Sequence, residues 1–220
     1  MIEANTEGAG GRLPSWVPQA ARVYLAHTEN GRPIRELARE AGCHASTVLR
    51  QVRRIETRRD DPLVDAALRR LGAPGNRDTL QKLAKDHDTM SCMLNLPDTP
   101  DESTLAREAR RVLRRLCESG AVLAVAAEMD KAVVVRDTGD GGNTRTAVVD
   151  SAIAQAMALK DWIACETPGR VSRYRITSAG RAALSQLVAD QENRLRGFAE
   201  AQAGFDTGAA AEAALDEIDK

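Results

Sequence analysis

Between residues 14 and 72 the apolar positions recur every three or four residues, in short blocks separated by polar or glycine-bearing breaks. The first block, "PSWVPQAARVYLAHTEN", groups Trp16, Ala20, Val23 and Tyr24, tolerates Pro18 near its start and ends at Asn30-Gly31, which predicts a helix. Pro33 opens a second helix, in which Leu37, Ala38 and Ala41 precede Gly42 and Cys43. Small Ala38 permits a close crossing, and Gly42 can take the positive φ that ends a helix. Val48 and Val52 return one turn apart, placing a third helix from about Ala45 to Arg58. His44, Ala45, Ser46, Thr47 and Arg50 are then expected to point outward from it and from the turn before it. "DDPLVDAALRRLG" predicts a further helix before "APGN" breaks the pattern.

Beyond that break, "DTLQKLAKDHDTMSCMLNL" reads as helical and "PDTPDES" as a turn-rich link. Leu105, Ala109, Val112, Leu113 and Leu116 form the stripe of a helix with Ser103 as expected N-cap and Gly120 as its stop. "AVLAVAAEM" and "KAVVVRD" predict two strands turning at Asp130, and "TGDGGN" a loop. "VDSAIAQAMALKDW" predicts an apolar helix, "IACETPGRVSRYRIT" a strand, a Pro-Gly turn and a strand, and the stretch from Ser178 a last helix. The expected fold is mainly α: a helix-turn-helix domain followed by a winged-helix domain, α with small β-hairpins. The expected divisions are a flexible arm at 1–13, a helix-turn-helix DNA-binding domain at 14–72, and a helical linker at 73–102. A winged-helix domain at 103–200 and an acidic, alanine-rich tail at 201–220 follow.

Charge sharpens this reading more than composition does. The net charge of −1 does not announce a nucleic-acid binder. From Gly31 to Arg59, however, eight arginines face three glutamates, while the closing "FDTGAAAEAALDEIDK" holds five acids and one lysine. A local basic footprint matters more than the total. Such a helix is in many proteins only a solvated face; together with the tight turn it points to DNA. Ala45, Ser46, Thr47 and Arg50 are expected at the bases, with Arg53, Arg54 and Arg58 at phosphates; His44, also in the DNA-binding set, is expected to cap the helix or touch a phosphate. Arg170, Arg173 and Arg175 lie on or beside the expected wing, where phosphates or a minor groove could be met, or where they only solubilise an exposed hairpin. The helix before the wing offers Asp150, Gln155, Lys160 and Asp161 but no arginine, which suits protein docking better than base reading. Arg107, Arg110 and Arg114 form a basic face expected to orient a protein partner.

Cys43-His44 raises a metal site as an alternative to a turn. Zinc sites pair their ligands at short spacings, and Cys92, Cys117, Cys165, His27 and His87 are scattered. No metal and no cofactor is expected, and Cys43 reads as a small core residue. Four dispersed cysteines, no long apolar run and an acidic, glycine-rich start without a signal-peptide core suggest a cytoplasmic, nucleoid-associated protein. With 43% hydrophobic and 3% aromatic residues, the cores should be aliphatic.

"LAREAGCHASTVLRQV" resembles the helix-turn-helix of LacI-like and resolvase-like DNA-binding domains, a match that specifies a module and not a family. A longer string resembles the N-terminal half of the GafA-type regulators that activate bacterial gene transfer agent clusters. It is "AVLAVAAEMDKAVVVRD … TAVVDSAIAQAMALKDWIACETPGRVSRYRITSAGRAAL … GFAEAQ". In some lineages that half, GafY, is a separate protein working with GafZ, which carries the C-terminal half. The resemblance implies binding to double-stranded promoter DNA, association with RNA polymerase, a GafZ-like partner and help from integration host factor. The acidic tail, in place of the C-terminal domain of the longer members, departs from the pattern.

No GxxxxGK[ST], HExxH or GxSxG motif is present, nor a GxGxxG after a strand, and no enzyme activity is expected. Three classes remain: a transcription activator, favoured by the arginine-rich helix and acidic tail; a dimeric winged-helix repressor; and an architectural or partition-type DNA binder.

Overall fold

A computed structural model of the chain describes residues 13–73, 99–137 and 142–196. The N-terminal blocks form α1 (Gln19–Thr28), α2 (Ile34–Glu40), α3 (Ala45–Thr57) and α4 (Pro62–Gly72), with a 3-10 turn at Arg58–Asp60 before α4. Gly42, at φ +61°, turns the chain between α2 and α3, a dihedral that strains any residue with a Cβ. The Cys43 N–H then closes onto the Ala38 carbonyl at 3.0 Å, and its side chain packs half-buried against the core. Ala21, Val48 and Val64 are fully enclosed where these helices meet.

Next comes α5 (Glu102–Leu116), capped by Asp101 and not by the expected Ser103. The Asp101 carboxylate accepts from the Ser103 N–H at 3.2 Å, the Thr104 N–H at 3.3 Å and the Ser103 hydroxyl. A carboxylate meets both the free N–H groups and the positive end of the helix dipole, so the helix starts earlier. The Ser103 hydroxyl, then Thr104, hold that carboxyl's pKa down at about 2.

The strands are β1 (Ala121–Ala126), β2 (Lys131–Asp137), β3 (Asn143–Asp150), β4 (Ile163–Thr167) and β5 (Val171–Ile176). They form one antiparallel sheet in the order β3-β2-β1-β5-β4, and α6 (Ser151–Leu159) carries the chain from one edge to the other. Two expectations are corrected here. The fold is mixed α and β, not mainly α, and the two small hairpins are parts of a single five-stranded sheet. β1 carries no polar side chain on either face, which suits a strand paired on both sides: Leu123 faces Val134 on β2 and Tyr174 on β5. β3, not anticipated, runs from the end of the expected loop into the expected helix. Its inward pair, Ala147 and Val149, is short, and its pairing with β2 from Lys131↔Asp150 to Asp137↔Asn143 supplies the rest.

One sheet face is buried under α5 and α6, with Leu123, Val134 and Tyr174 fully enclosed. α4 packs on α6, so residues 14–72 and the sheet unit share one continuous core. Tyr174 crosses the junction: its hydroxyl donates to Asp61 at 2.8 Å, and Asp61 accepts the Leu63 N–H at 2.9 Å as N-cap of α4. The Trp16 indole N–H donates to the Pro100 carbonyl at 2.7 Å. A last helix, α7, occupies 178–196, and passes so close to β4 that a Cβ on Gly180 would lie 2.1 Å from the Trp162 carbonyl oxygen. The arm before residue 13, residues 74–98 of the expected linker with its boundary near 72–77, and the tail at 201–220 lie outside the described residues. Among the described residues no helix is long and apolar enough to cross a membrane.

Candidate nucleic-acid interface

α3 is strongly two-faced. Val48, Val52 and Ile55 are buried, while His44, Ser46, Arg50 and Arg53 are exposed. His44 occupies the N-cap: its Nδ1 accepts the Ser46 N–H at 3.3 Å and lies 2.8 Å from the Ser46 hydroxyl. Ala45 leaves the outward set, since it packs half-buried against the core, and Thr47 is half-buried. Arg50 and Arg53 have no carboxylate partner among the described residues, and neither have the exposed Arg35 and Arg39 of α2. Nearby arginines are neutralised. Arg32 holds Glu36 at 2.8 Å and Glu40 at 2.5 Å, and these hydrogen bonds raise its pKa. Arg59 holds Asp65 at 2.6 Å and also meets the Tyr24 hydroxyl at 3.2 Å.

The two remaining arginines of this group turn toward the sheet unit. Arg58 donates to the Ala158 carbonyl at 2.6 Å and the Leu159 carbonyl at 3.3 Å, and pairs with Asp161 at 2.8 Å. It thus satisfies the C-terminal carbonyls of α6, where a cation also complements the helix dipole. Arg54 meets the other Asp161 oxygen at 3.0 Å while its side chain stays 66% exposed. Asp161 holds a left-handed φ of 61°, unusual for a residue other than glycine, and its carbonyl accepts the Thr177 hydroxyl at 2.5 Å. Arg58 and Asp161 are an anchor that sequence reasoning missed. Nothing in the local pattern of either helix marks a contact across about a hundred residues; the one legible hint is an acid just past the end of an alanine-rich helix.

The arginines of the expected wing stand on the β4–β5 hairpin. Arg170 and Arg173 are exposed without a carboxylate partner among the described residues, whereas Arg175 pairs with Glu166 at 2.5 Å. On α5, Arg107 contacts Glu108 at 3.4 Å, and Arg110 and Arg114 have no carboxylate partner among the described residues. The interleaved Arg111 and Arg115 hold Glu108 and Glu118, whose carboxyl pKa values are lowered chiefly by those hydrogen bonds. No three His, Cys, Asp or Glu side chains converge among the described residues; Cys92 and His87 lie outside them. No family model, curated protein or solved structure matches the chain.

Proposed function

We propose that the chain is a sequence-specific DNA-binding transcription regulator. In this reading α2, the turn at Gly42 and α3 form a helix-turn-helix, and α3 lies in the major groove with Ser46 and Arg50 toward base edges. The observation that carries it is the outward face of α3: a capped helix start followed by Arg50 and Arg53, both exposed and, like Arg35 and Arg39 on α2, without a carboxylate partner among the described residues. Arg54 can reach a phosphate from its exposed position, while Arg58 serves as an anchor. The sheet unit acts as the winged helix, with Arg170 and Arg173 available to phosphates.

An activator is the form we favour, associated with RNA polymerase and a GafZ-like partner, aided by integration host factor and directed at a gene transfer agent cluster. The sequence resemblance supports it, as do Arg110 and Arg114 on an outer face of α5. A dimeric repressor is the second reading, favoured by Leu195, 62% exposed on α7. Selection of duplexes from a random library by the full chain tests the shared core of both. Enrichment of a defined sequence is expected; recovery of none above background would refute sequence-specific binding. Sedimentation of the complex separates a dimer on a palindrome from a single copy.

A further inference from the structure

A cleft of about 330 Å³ opens where the segment before α1, the start of α5, the turn after α6 and the first part of α7 converge. That is the size of a small-molecule site. Trp16, Leu105, Trp162 and Leu187 line it, and these are the chain's two tryptophans. Lys160 lies on its wall, its Nζ 3.2 Å from the Trp16 carbonyl oxygen and 4.9 Å from the centre of the Trp162 ring. An ammonium has three donors, and among the described residues this one meets one acceptor and no carboxylate within salt-bridge distance. Glu102, also on the wall, accepts from the Ser15 hydroxyl and acts on Lys160 only through space, without an ion pair. Burial pushes the Lys160 pKa below the usual lysine value, the sign of a cation withdrawn from water without full compensation.

We propose that this cleft binds a small organic carboxylate with an apolar body, the carboxylate on Lys160 and the body against the tryptophan and leucine walls. An anion there supplies a close counter-charge that offsets the water lost on burial, and the ring faces offer apolar area at little entropic cost. The site also has an address within the fold. Asp161, between Lys160 and Trp162 in the chain, holds Arg54 and Arg58, so occupancy bears on the anchor of α3. That consequence, unlike the site itself, rests on the DNA reading above.

Because both tryptophans line the cleft, intrinsic tryptophan fluorescence of the full chain reports on it directly. Titration with phenylacetate and octanoate should give a saturable change, and phenylacetamide should bind about tenfold more weakly or worse, as loss of a charge-assisted hydrogen bond requires. Lys160→Met should bring phenylacetate down to the level of the amide, and Lys160→Arg should retain the preference for the acid. No saturable change with either acid at millimolar concentration overturns the proposal, as does equal binding of acid and amide. Tighter binding of tetramethylammonium, as in a cage of Trp16, Trp162 and Glu102, overturns it too. On the selected duplex, phenylacetate should shift the affinity of the parent protein and leave Lys160→Met unmoved. An unchanged duplex affinity with the cleft saturated would break the link to α3, whereas a chain that binds no duplex at all counts against the DNA reading, and the fluorescence still decides the cleft.

Discussion

Arg50 and Arg58 share a helix, a chemistry and a charge, and differ in what lies opposite them. Arg50 faces solvent, so its removal should leave the fold untouched. Arg50→Ala is expected to lose about 1–3 kcal/mol on the selected duplex and to relax preference at one base pair, while Arg53→Ala weakens all duplexes alike and flattens the salt dependence. Fluorescence anisotropy at several salt concentrations checks both; parent-like binding by the two variants would remove α3 from the interface. Tyr174 is the opposite case, a polar atom spent wholly on stability. Burial first, and Asp61 second, hold its phenol pKa well above the usual range, so it remains a donor at every working pH. Tyr174→Phe removes a hydrogen bond to a carboxylate and should cost about 1.5–3 kcal/mol in urea denaturation. At Asp101 the folded-state pKa is depressed, so its contribution is complete above the ordinary aspartate range and fades as pH falls toward about 2. The stability difference between the parent and Asp101→Asn should therefore be flat near neutrality and shrink on acidification; a difference that grows in acid would contradict the cap.

Elements whose pattern is set locally could be read from the sequence. The stripe of α5, the glycine turn after α2 and the proline-led start of α4 each follow from residues within a turn or two of one another. What the sequence concealed depends on distant partners. β3 has two inward residues and becomes a strand because β2 lies beside it. The hairpins merge because β5 finds β1, a pairing that no local period encodes. Of the candidate interface, the outward arginines of α3 were legible, while the inward turn of Ala45 and Arg58 was not, since each depends on what packs behind the helix. The Arg58–Asp161 contact can be measured as a coupling between elements. Arg58→Ala and Asp161→Ala should each destabilise by about 1–3 kcal/mol, and together by less than the sum. Strict additivity in a double-mutant cycle would show that the pair does not interact in solution. Gly180→Ala should cost more than a helix position ordinarily would, because the new methyl meets backbone and cannot be accommodated by a rotamer change.

At the scale of the whole molecule, a shared core changes what the parts can do alone. Separating residues 1–76 from the rest would bare the α4 surface that packs on α6, leave Arg58 without its partners and take the Tyr174 hydroxyl from Asp61. The intact chain should unfold in a single calorimetric transition, with calorimetric and van't Hoff enthalpies equal. Two resolved transitions would mean that the halves are energetically independent despite their contact.

The long reach of Tyr174 also sets an order in time. A chain leaving the ribosome exposes α1 to α4 long before β5, the strand that joins β1 to the edge strand β4 and brings Tyr174 to Asp61. Contacts of such sequence separation close late and slowly. The first helices are therefore made early and completed only after β5: a nascent chain arrested before residue 171 carries the arginines of α3 without the Tyr174–Asp61 contact that ties the start of α4 to the sheet.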